Sequence, residues 1–183
     1  MKTSELSLIP TFTPPQGYRA AWCVGGGKGG TKKTMTAFHA GIVLSRSGRT
    51  VVYDTDPTSQ SLTQWAAAYT ALTEQELPFH VIQYTADNGL AAHASRTQRE
   101  MSADHIVFDI DRTGKHYRQA LRVANTLILP ISVDTIETIT LNVALAEAQD
   151  VAEETERGIE AHVVWCGVYH CDQKELNEAC ATG

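Results

Sequence analysis

The sequence lacks the features that define several classes of protein. No stretch of its 183 residues approaches the run of about 20 apolar residues that a transmembrane helix needs. The first 17 residues lack the charged and then apolar regions of a secretory signal peptide. The four cysteines include no C-x-x-C pair, and this pattern is typical of a reducing compartment. We therefore expect a cytoplasmic protein.

The chain also lacks an excess of positive charge, since its net charge is −6 with histidine neutral. This excludes a surface that is basic all over, as in a strong stand-alone nucleic-acid binder, although a local basic patch is compatible with it. Apolar residues make up 43% and charged residues 20%, which is ordinary for a globular protein. The length suits one domain with its own core. We interpret residues 1–18 as a short leader and 19–183 as that domain.

Short apolar runs alternate with segments of helical periodicity along the chain. Such alternation predicts βαβ units, and therefore an α/β fold in three layers, with a mostly parallel sheet flanked by helices on both faces. The predicted strands are 19–24, 50–54, 79–84, 105–109, 126–130 and 162–169. The predicted helices are 33–47, 59–72, 89–101, 115–123 and 136–156, with a last short helix from residue 172.

A glycine-rich segment, G-K-G-G-T-K-K-T, lies between the first predicted strand and the first predicted helix. Glycines allow backbone N–H groups to turn inward around phosphates, a lysine reaches the terminal phosphates, and a hydroxyl binds Mg²⁺. The helix N-terminus adds a partial positive charge. Lys33 is the candidate lysine and Thr34 the candidate Mg²⁺ ligand; the alternative is an ordinary glycine-rich turn beside basic residues. The candidate nucleotide-binding residues are Gly27, Lys28, Gly29, Gly30, Thr31, Lys32, Lys33, Thr34 and Met35.

One position departs from the general phosphate-loop pattern. The residue before the lysine is usually glycine, and here it is Lys32. A side chain at this point crowds the tight turn into the helix. Either Lys32 points outward and the loop tolerates it, or nucleotide affinity is impaired.

Carboxylates follow two of the predicted strands, at the edge of the sheet where ligands of open α/β sheets bind. Asp54 and Asp56 come at the end of the second strand, in the segment D-T-D-P, and Asp109 ends the fourth. Carboxylates placed in this way can hold Mg²⁺ and orient an attacking water. A plain turn is the alternative for D-T-D-P, because aspartate and proline are common turn residues.

These motifs together resemble the ParA/MinD family of P-loop ATPases. The run K-G-G-x-x-K-T, with Lys28 ahead of two glycines, resembles that family's deviant Walker A motif, and D-T-D-P resembles its D-x-D-P-Q. A strand that ends at Asp109 and another that ends L-I-L-P at Pro130 resemble later landmarks. The similarity extends over about residues 19–170.

The resemblance implies roles for individual residues. Lys28 is implied to reach the phosphates of the partner in a nucleotide-dependent homodimer, Lys33 to bind the β- and γ-phosphates, and Asp56 to orient the attacking water. Lys28, Lys33 and Asp56 are thus the implied catalytic residues. Thr34, Asp54 and Asp109 are the implied metal environment. The implied cofactors are ATP and Mg²⁺, and the implied activity is slow ATP hydrolysis in plasmid or chromosome partition, stimulated by a ParB-like partner protein.

Several positions differ from the family pattern. Thr58 stands where the family has glutamine, and residues 110–112 replace the usual prolines after Asp109. The asparagine that contacts adenine in the family is missing after the last strand. Three hypotheses therefore remain: an active partition ATPase, a nucleotide-binding switch with little hydrolysis that serves plasmid transfer or replication, and a scaffold that binds no nucleotide.

A second candidate surface is basic. Arg112, Lys115, Arg118 and Arg122 recur at helical spacing and could line one face that grips DNA phosphates, or could form an ordinary solvated helix face. The tail has no basic amphipathic helix, so we expect no docking to membranes. The three tryptophans fall in predicted helices and strands, and we interpret them as core residues.

Overall fold

The computed structural model describes residues 19–26, 30, 32–111, 114–131 and 135–166. Six strands alternate with five helices along this part of the chain. The strands are β1 (Ala21–Val24), β2 (Thr50–Asp54), β3 (His80–Gln83), β4 (His105–Asp109), β5 (Thr126–Ile131) and β6 (Glu160–Trp165). The helices are α1 (Lys33–Leu44), α2 (Ser61–Thr73), α3 (Leu90–Glu100), α4 (Lys115–Leu121) and α5 (Thr135–Thr155).

The strands form a single parallel sheet in the order β3-β2-β4-β1-β5-β6. β1 and β2 both pair with the central strand β4, so that Val24 and Asp54 each lie opposite Asp109. Because all strands run in the same direction, their carboxyl ends share one edge. The start of α1 and the ends of β2 and β4, which carry the aspartates, therefore meet there, as the sequence predicts.

The two faces of the sheet are covered by different helices. Val24, Val52 and Val107 belong to a core cluster that includes the buried residues of α1 and Leu62 of α2. Their neighbours on the strands, Cys23 and Phe108 among them, pack in the opposite layer with the buried residues of α3, α4 and α5. This alternation follows from the period of two along a strand. The predicted three-layer α/β architecture is confirmed.

Several element boundaries differ from the sequence-based prediction. α2 begins at Ser61 and not at residue 59, because Gln60 adopts a left-handed conformation with φ 47° that ends the preceding loop. β6 begins at Glu160, where the backbone N–H donates to the Asn125 carbonyl at 3.0 Å. The helix predicted from residue 172 lies outside the described residues.

The prediction that all three tryptophans are core residues is wrong. Trp65 on α2 is 42% exposed, and Trp22 and Trp165 are half-buried. Of the residues of α2, only Leu62 is fully buried. Helical spacing identifies the inward face of α2, but the tryptophan lies at the rim of that face.

A buried histidine holds the amino-terminal edge of the sheet. The His105 ring accepts a hydrogen bond from the Ala20 backbone N–H at 3.1 Å through Nδ1, and its Nε2 lies 2.9 Å from the Ser47 hydroxyl. The side chain is fully buried, and this burial lowers the pKa of His105. The clamp joins the entrance of β1 to the turn after α1.

Candidate functional site

The phosphate-loop motif lies between β1 and α1, as predicted. Gly27, Lys28, Gly29 and Thr31 lie outside the described residues. Gly26 and Gly30 have φ angles of +139° and +89°, a region that glycine adopts without steric cost. Lys33 opens α1 and is buried, and a Cβ added to Gly26 would lie 4.0 Å from its Cδ. The aliphatic stem of Lys33 therefore lies against the backbone of the loop.

The ring of Tyr117 approaches the backbone at Gly25 so closely that only glycine fits there. A Cβ at this position would lie 2.5 Å from Cε2 of Tyr117 on α4, so the ring fills the space that a side chain would need. The Tyr117 hydroxyl in turn donates to the Ala144 carbonyl on α5 at 2.9 Å. Sequence analysis missed both residues, because the spacing of the motif starts two residues after Gly25.

Lys32 forms the turn that precedes α1. It has φ 68° and ψ 20°, the left-handed conformation that glycine favours, and its side chain is exposed. Its carbonyl accepts hydrogen bonds from both the N–H of Thr36 at 2.9 Å and the Thr36 hydroxyl at 3.0 Å. The backbone thus keeps the turn at a cost of roughly 1–2 kcal/mol for a residue with a Cβ, and the exposed side chain lies at the rim of the cavity described below.

Asp54 lies behind the cavity as a buried anchor. One of its oxygens accepts from the N–H and the hydroxyl of Thr63 on α2, both at 2.9 Å. The other accepts from the Asp56 N–H at 3.2 Å. The carboxylate is fully buried and its hydrogen bonds fix the start of α2 relative to the D-T-D-P loop.

Asp56 caps the turn that follows it. Its Oδ1 accepts from the N–H groups of Thr58 at 2.8 Å and Ser59 at 2.9 Å, and its Oδ2 accepts from the Ser59 hydroxyl. An aspartate that bonds to backbone groups two and three residues on is a common turn device. The half-buried carboxylate predicted to orient water therefore also stabilises its own loop.

Asp109 is nearly buried, and its environment disfavours the charged form. Burial raises the pKa of Asp109 to about 7, with further contributions from the charges of Asp54 and Asp56. A hydrogen bond with Thr34 and the charge of Lys33 oppose this increase. The negative charge of the neighbouring carboxylates is therefore only partly balanced by Lys33, and a bound cation would favour the charged form of Asp109.

This donor set fits Mg²⁺ bound together with a nucleotide. Mg²⁺ prefers oxygen ligands and is usually held by one or two carboxylates plus substrate phosphates and waters, not by an all-protein cage. Within the described ranges, no three His, Cys, Asp or Glu side chains form a preformed metal cluster. Thr34 and Asp109, which already lie in contact, are the described residues best placed to contribute.

The loops enclose a cavity of about 360 Å³ at the carboxyl edge of the sheet. It brings together every described candidate residue except Asp54: Gly30, Lys32, Lys33, Thr34, Met35, Asp56 and Asp109. It also adds residues that sequence analysis missed: Ser59, Ser61, Trp65 and Asp111. Asp111 lies two positions after Asp109, and the two serines follow Asp56. Their closeness in sequence to these aspartates is the signal that could have identified them as site residues.

The basic face of α4 is not a free cationic surface. Arg118 and Arg122 both form ion pairs with Glu154 on α5, the second at 3.0 Å. Lys115 is exposed, and Arg112 lies outside the described residues. In the described part of the chain, no helix combines the length and apolarity needed to cross a bilayer.

Comparisons with known proteins identify structures of similar fold. Neither protein-family models nor curated proteins match the sequence, whereas solved structures match the fold. An ATP complex of a McdA variant from Cyanothece is 18% identical and has a TM-score of 0.65, over 90% of this chain and 78% of that chain.

Two further structures contain a nucleotide analogue. A plasmid partition protein from Borrelia burgdorferi bound to AMPPNP is 14% identical, with a TM-score of 0.66 over 94% of this chain and 84% of that chain. Cobyrinic acid a,c-diamide synthase from Mycobacterium smegmatis, with an ATP analogue and magnesium, is 16% identical, with a TM-score of 0.70 over 88% and 78%. The chain therefore has the P-loop fold of these proteins, as its resemblance to the ParA/MinD family implies.

Proposed function

We propose that this chain is an ATPase of the ParA/MinD type that binds ATP with Mg²⁺, dimerises on binding and acts in DNA partition. One observation carries the proposal: the start of α1 (Lys33 and Thr34), the loop after β2 (Asp56) and the end of β4 (Asp109) line one cavity at the edge of the sheet. Neighbours of the same fold are crystallised with ATP, AMPPNP and an ATP analogue with magnesium, which supports a nucleotide in this cavity.

Different residues of the cavity would bind the phosphates, the metal ion and the water. The ammonium of Lys33 bonds to the terminal phosphates, and the N-terminus of α1 adds N–H donors to them. Thr34 and Asp109 would hold Mg²⁺, which when bound neutralises phosphate charge. Asp56 lines the same cavity, where it can accept a hydrogen bond from a water near the terminal phosphate. Asp54 positions Asp56 through the loop that joins them.

Binding is tested first, by calorimetry on the full chain with ATP and Mg²⁺. Lys33→Ala is the site variant, and Lys115→Ala, an exposed lysine on α4, is the matched control for loss of one positive charge. We expect saturable binding that Lys33→Ala weakens at least tenfold and that Lys115→Ala leaves unchanged. Absence of binding by the unaltered chain at millimolar ATP would exclude the proposal. Size-exclusion chromatography with and without ATP then tests dimerisation.

A nucleotide-binding switch with little hydrolysis is the second candidate, and the turn at Asp56 favours it. Both oxygens of this carboxylate accept hydrogen bonds from Thr58 or Ser59, so a water must compete with them. Ser59→Ala removes one competitor. A hydrogen bond to a charged group contributes about 1.5–3 kcal/mol, and 1.4 kcal/mol corresponds to a factor of ten.

If the cap restrains hydrolysis, Ser59→Ala therefore raises ATP turnover by about tenfold, and Asp56→Ala abolishes the gain. Ser95→Ala on α3, whose hydroxyl donates to the Ala91 carbonyl and does not line the cavity, is the matched control. Unchanged turnover in Ser59→Ala would mean that the cap does not limit the reaction. Stimulation by DNA and by a ParB-like protein is measured on the same variants.

A further inference from the structure

The hydroxyl of Ser59 forms a nucleophile and base pair with Asp56 inside the cavity at the carboxyl edge of the sheet. Both side chains line this cavity together with Lys33, and the Ser59 hydroxyl donates a hydrogen bond to Oδ2 of Asp56. A hydroxyl becomes an effective nucleophile when a neighbouring base lies within hydrogen-bond distance and can take its proton. Ser59 is exposed, so a ligand in the cavity can reach its oxygen.

The two oxygens of Asp56 have different partners. Oδ1 accepts hydrogen bonds from the backbone N–H groups of Thr58 at 2.8 Å and Ser59 at 2.9 Å, which fix the carboxylate in place. Oδ2 accepts the hydrogen bond from the Ser59 hydroxyl. A base that further groups hold in position is the usual arrangement beside an activated nucleophile. The backbone bonds thus hold Asp56 while Oδ2 stays aligned with the proton that it would accept.

Ser61, at the start of α2, contacts the same serine oxygen. Its hydroxyl donates to Oγ of Ser59 at 2.9 Å. A hydroxyl oxygen has two lone pairs, so this bond leaves one that can attack an electrophile. The third hydroxyl among the described residues of the cavity belongs to Thr34, which is bonded to Asp109 instead. Of these three hydroxyls, it is therefore that of Ser59 which donates to Asp56.

We propose that Ser59 takes the terminal phosphoryl group of ATP and becomes phosphoserine, with Asp56 as the base; this inference rests on the proposed function. Oγ of Ser59 forms a bond to the γ-phosphorus, and the bond from that phosphorus to the oxygen that bridges to the β-phosphate breaks. ADP leaves with the electron pair of that bond. The serine proton moves to Oδ2 of Asp56 and then to solvent. Phosphoryl transfer to a hydroxyl commonly uses an aspartate as the acceptor of this proton.

The hydrogen bond at Asp56 places Ser59 in direct competition with water. In hydrolysis, a water would take the position beside Asp56 that the Ser59 hydroxyl fills. The serine is already attached to the same turn, so its attack is intramolecular and is favoured over that of a free water. The phosphoserine product carries about −1.5 to −2 charges. Because this charge lies next to Asp56 in the cavity, it disfavours a second ATP, and we expect each chain to react once.

Mass spectrometry of the full chain after incubation with ATP and Mg²⁺ tests the proposal directly. The expected product is one added phosphoryl group per chain, located on Ser59 by peptide fragmentation. Ser59→Ala should abolish this label, and Ser59→Thr, which keeps the hydroxyl, should retain it as phosphothreonine. Ser95→Ala on α3, outside the cavity, is the matched control and should be labelled like the unaltered chain. Phosphate on Ser61 or Thr34 in place of Ser59 would overturn the assignment.

Asp56→Asn separates the role of the base from that of the turn cap. The amide oxygen can still accept the backbone hydrogen bonds, but an amide does not take up the serine proton. Labelling of Ser59 should therefore slow by about a hundredfold or more, while calorimetry still detects bound ATP. Labelling at the rate of the unaltered chain would show that Asp56 is not the base and would overturn the mechanism.

The outcomes for the unaltered chain separate this inference from the proposed function. If calorimetry shows that the chain binds ATP but mass spectrometry finds no phosphate on Ser59, the inference fails and the proposed function stands. If the chain binds no ATP at millimolar concentration, both fail.

Discussion

Replacing Lys32 with glycine should stabilise the protein although it removes a side chain. Lys32 has a φ of 68°, and this left-handed conformation costs a residue with a Cβ about 1–2 kcal/mol. Glycine removes that cost but loses more chain entropy on folding, by about 0.5–1 kcal/mol. The net expected gain is about 0.5–1 kcal/mol in the free energy of unfolding. For a chain of this size, that is an increase in Tm of about 1–4 °C.

The assay is thermal unfolding of the nucleotide-free protein, and Lys32→Ala is the essential comparison. Both substitutions remove the same charge, but alanine keeps the Cβ and therefore the strain. Glu74, at the end of α2, provides an independent pair, because it also has a positive φ, of 56°, and lies away from the cavity. Glycine should exceed alanine in Tm at both positions. If Lys32→Gly is no more stable than Lys32→Ala while the Glu74 pair behaves as expected, Lys32 is not in the left-handed conformation.

Three further predictions concern packing, pH and charge. Gly25→Ala should destabilise the protein by about 1–3 kcal/mol, because the new methyl group overlaps the Tyr117 ring; an unchanged denaturant midpoint would contradict this packing. Because burial lowers the pKa of His105, the unfolded chain takes up a proton at a higher pH than the folded one, so Tm should decrease as pH falls below about 6.5. His105→Gln should reduce this dependence, and an equal change of Tm with pH in the two proteins would disprove it. Glu154→Gln should break the ion pairs of Arg118 and Arg122 and raise non-specific DNA affinity in low salt. Fluorescence anisotropy measures this affinity, and no increase would indicate that α4 does not contact DNA.

The order of helices and strands could be predicted from the sequence because it depends on local periodicity. β2 and β4 have the predicted bounds, since apolar runs ending in Asp54 and Asp109 leave little choice of register. The exposure of Trp65 could not be predicted in this way. It depends on what covers α2, which is a property of the assembled layers and not of residue spacing.

The sequence predicts which residues of the candidate site come together, because strand ends fix their place. It does not predict which hydrogen bonds their side chains form. Strand ends bring Thr34, Asp56 and Asp109 to one edge, as parallel topology requires. The division between Asp54 as a buried anchor and Asp56 as a turn cap depends on hydrogen bonds with Thr63 and Ser59. No spacing rule distinguishes the two carboxylates, because both follow the same strand.

The ring of Tyr117 has a mechanical consequence. It fills the space beneath Gly25 at the root of the phosphate loop, and its hydroxyl is tied to the backbone of α5 at Ala144. The ring leaves no space for a side chain at this position. Tyr117 therefore links the backbone at Gly25 to α5, on which Ile139 and Val143 are exposed one turn apart. Any substitution that enlarges the side chain at residue 25 must therefore move the Tyr117 ring, and with it the contact to α5.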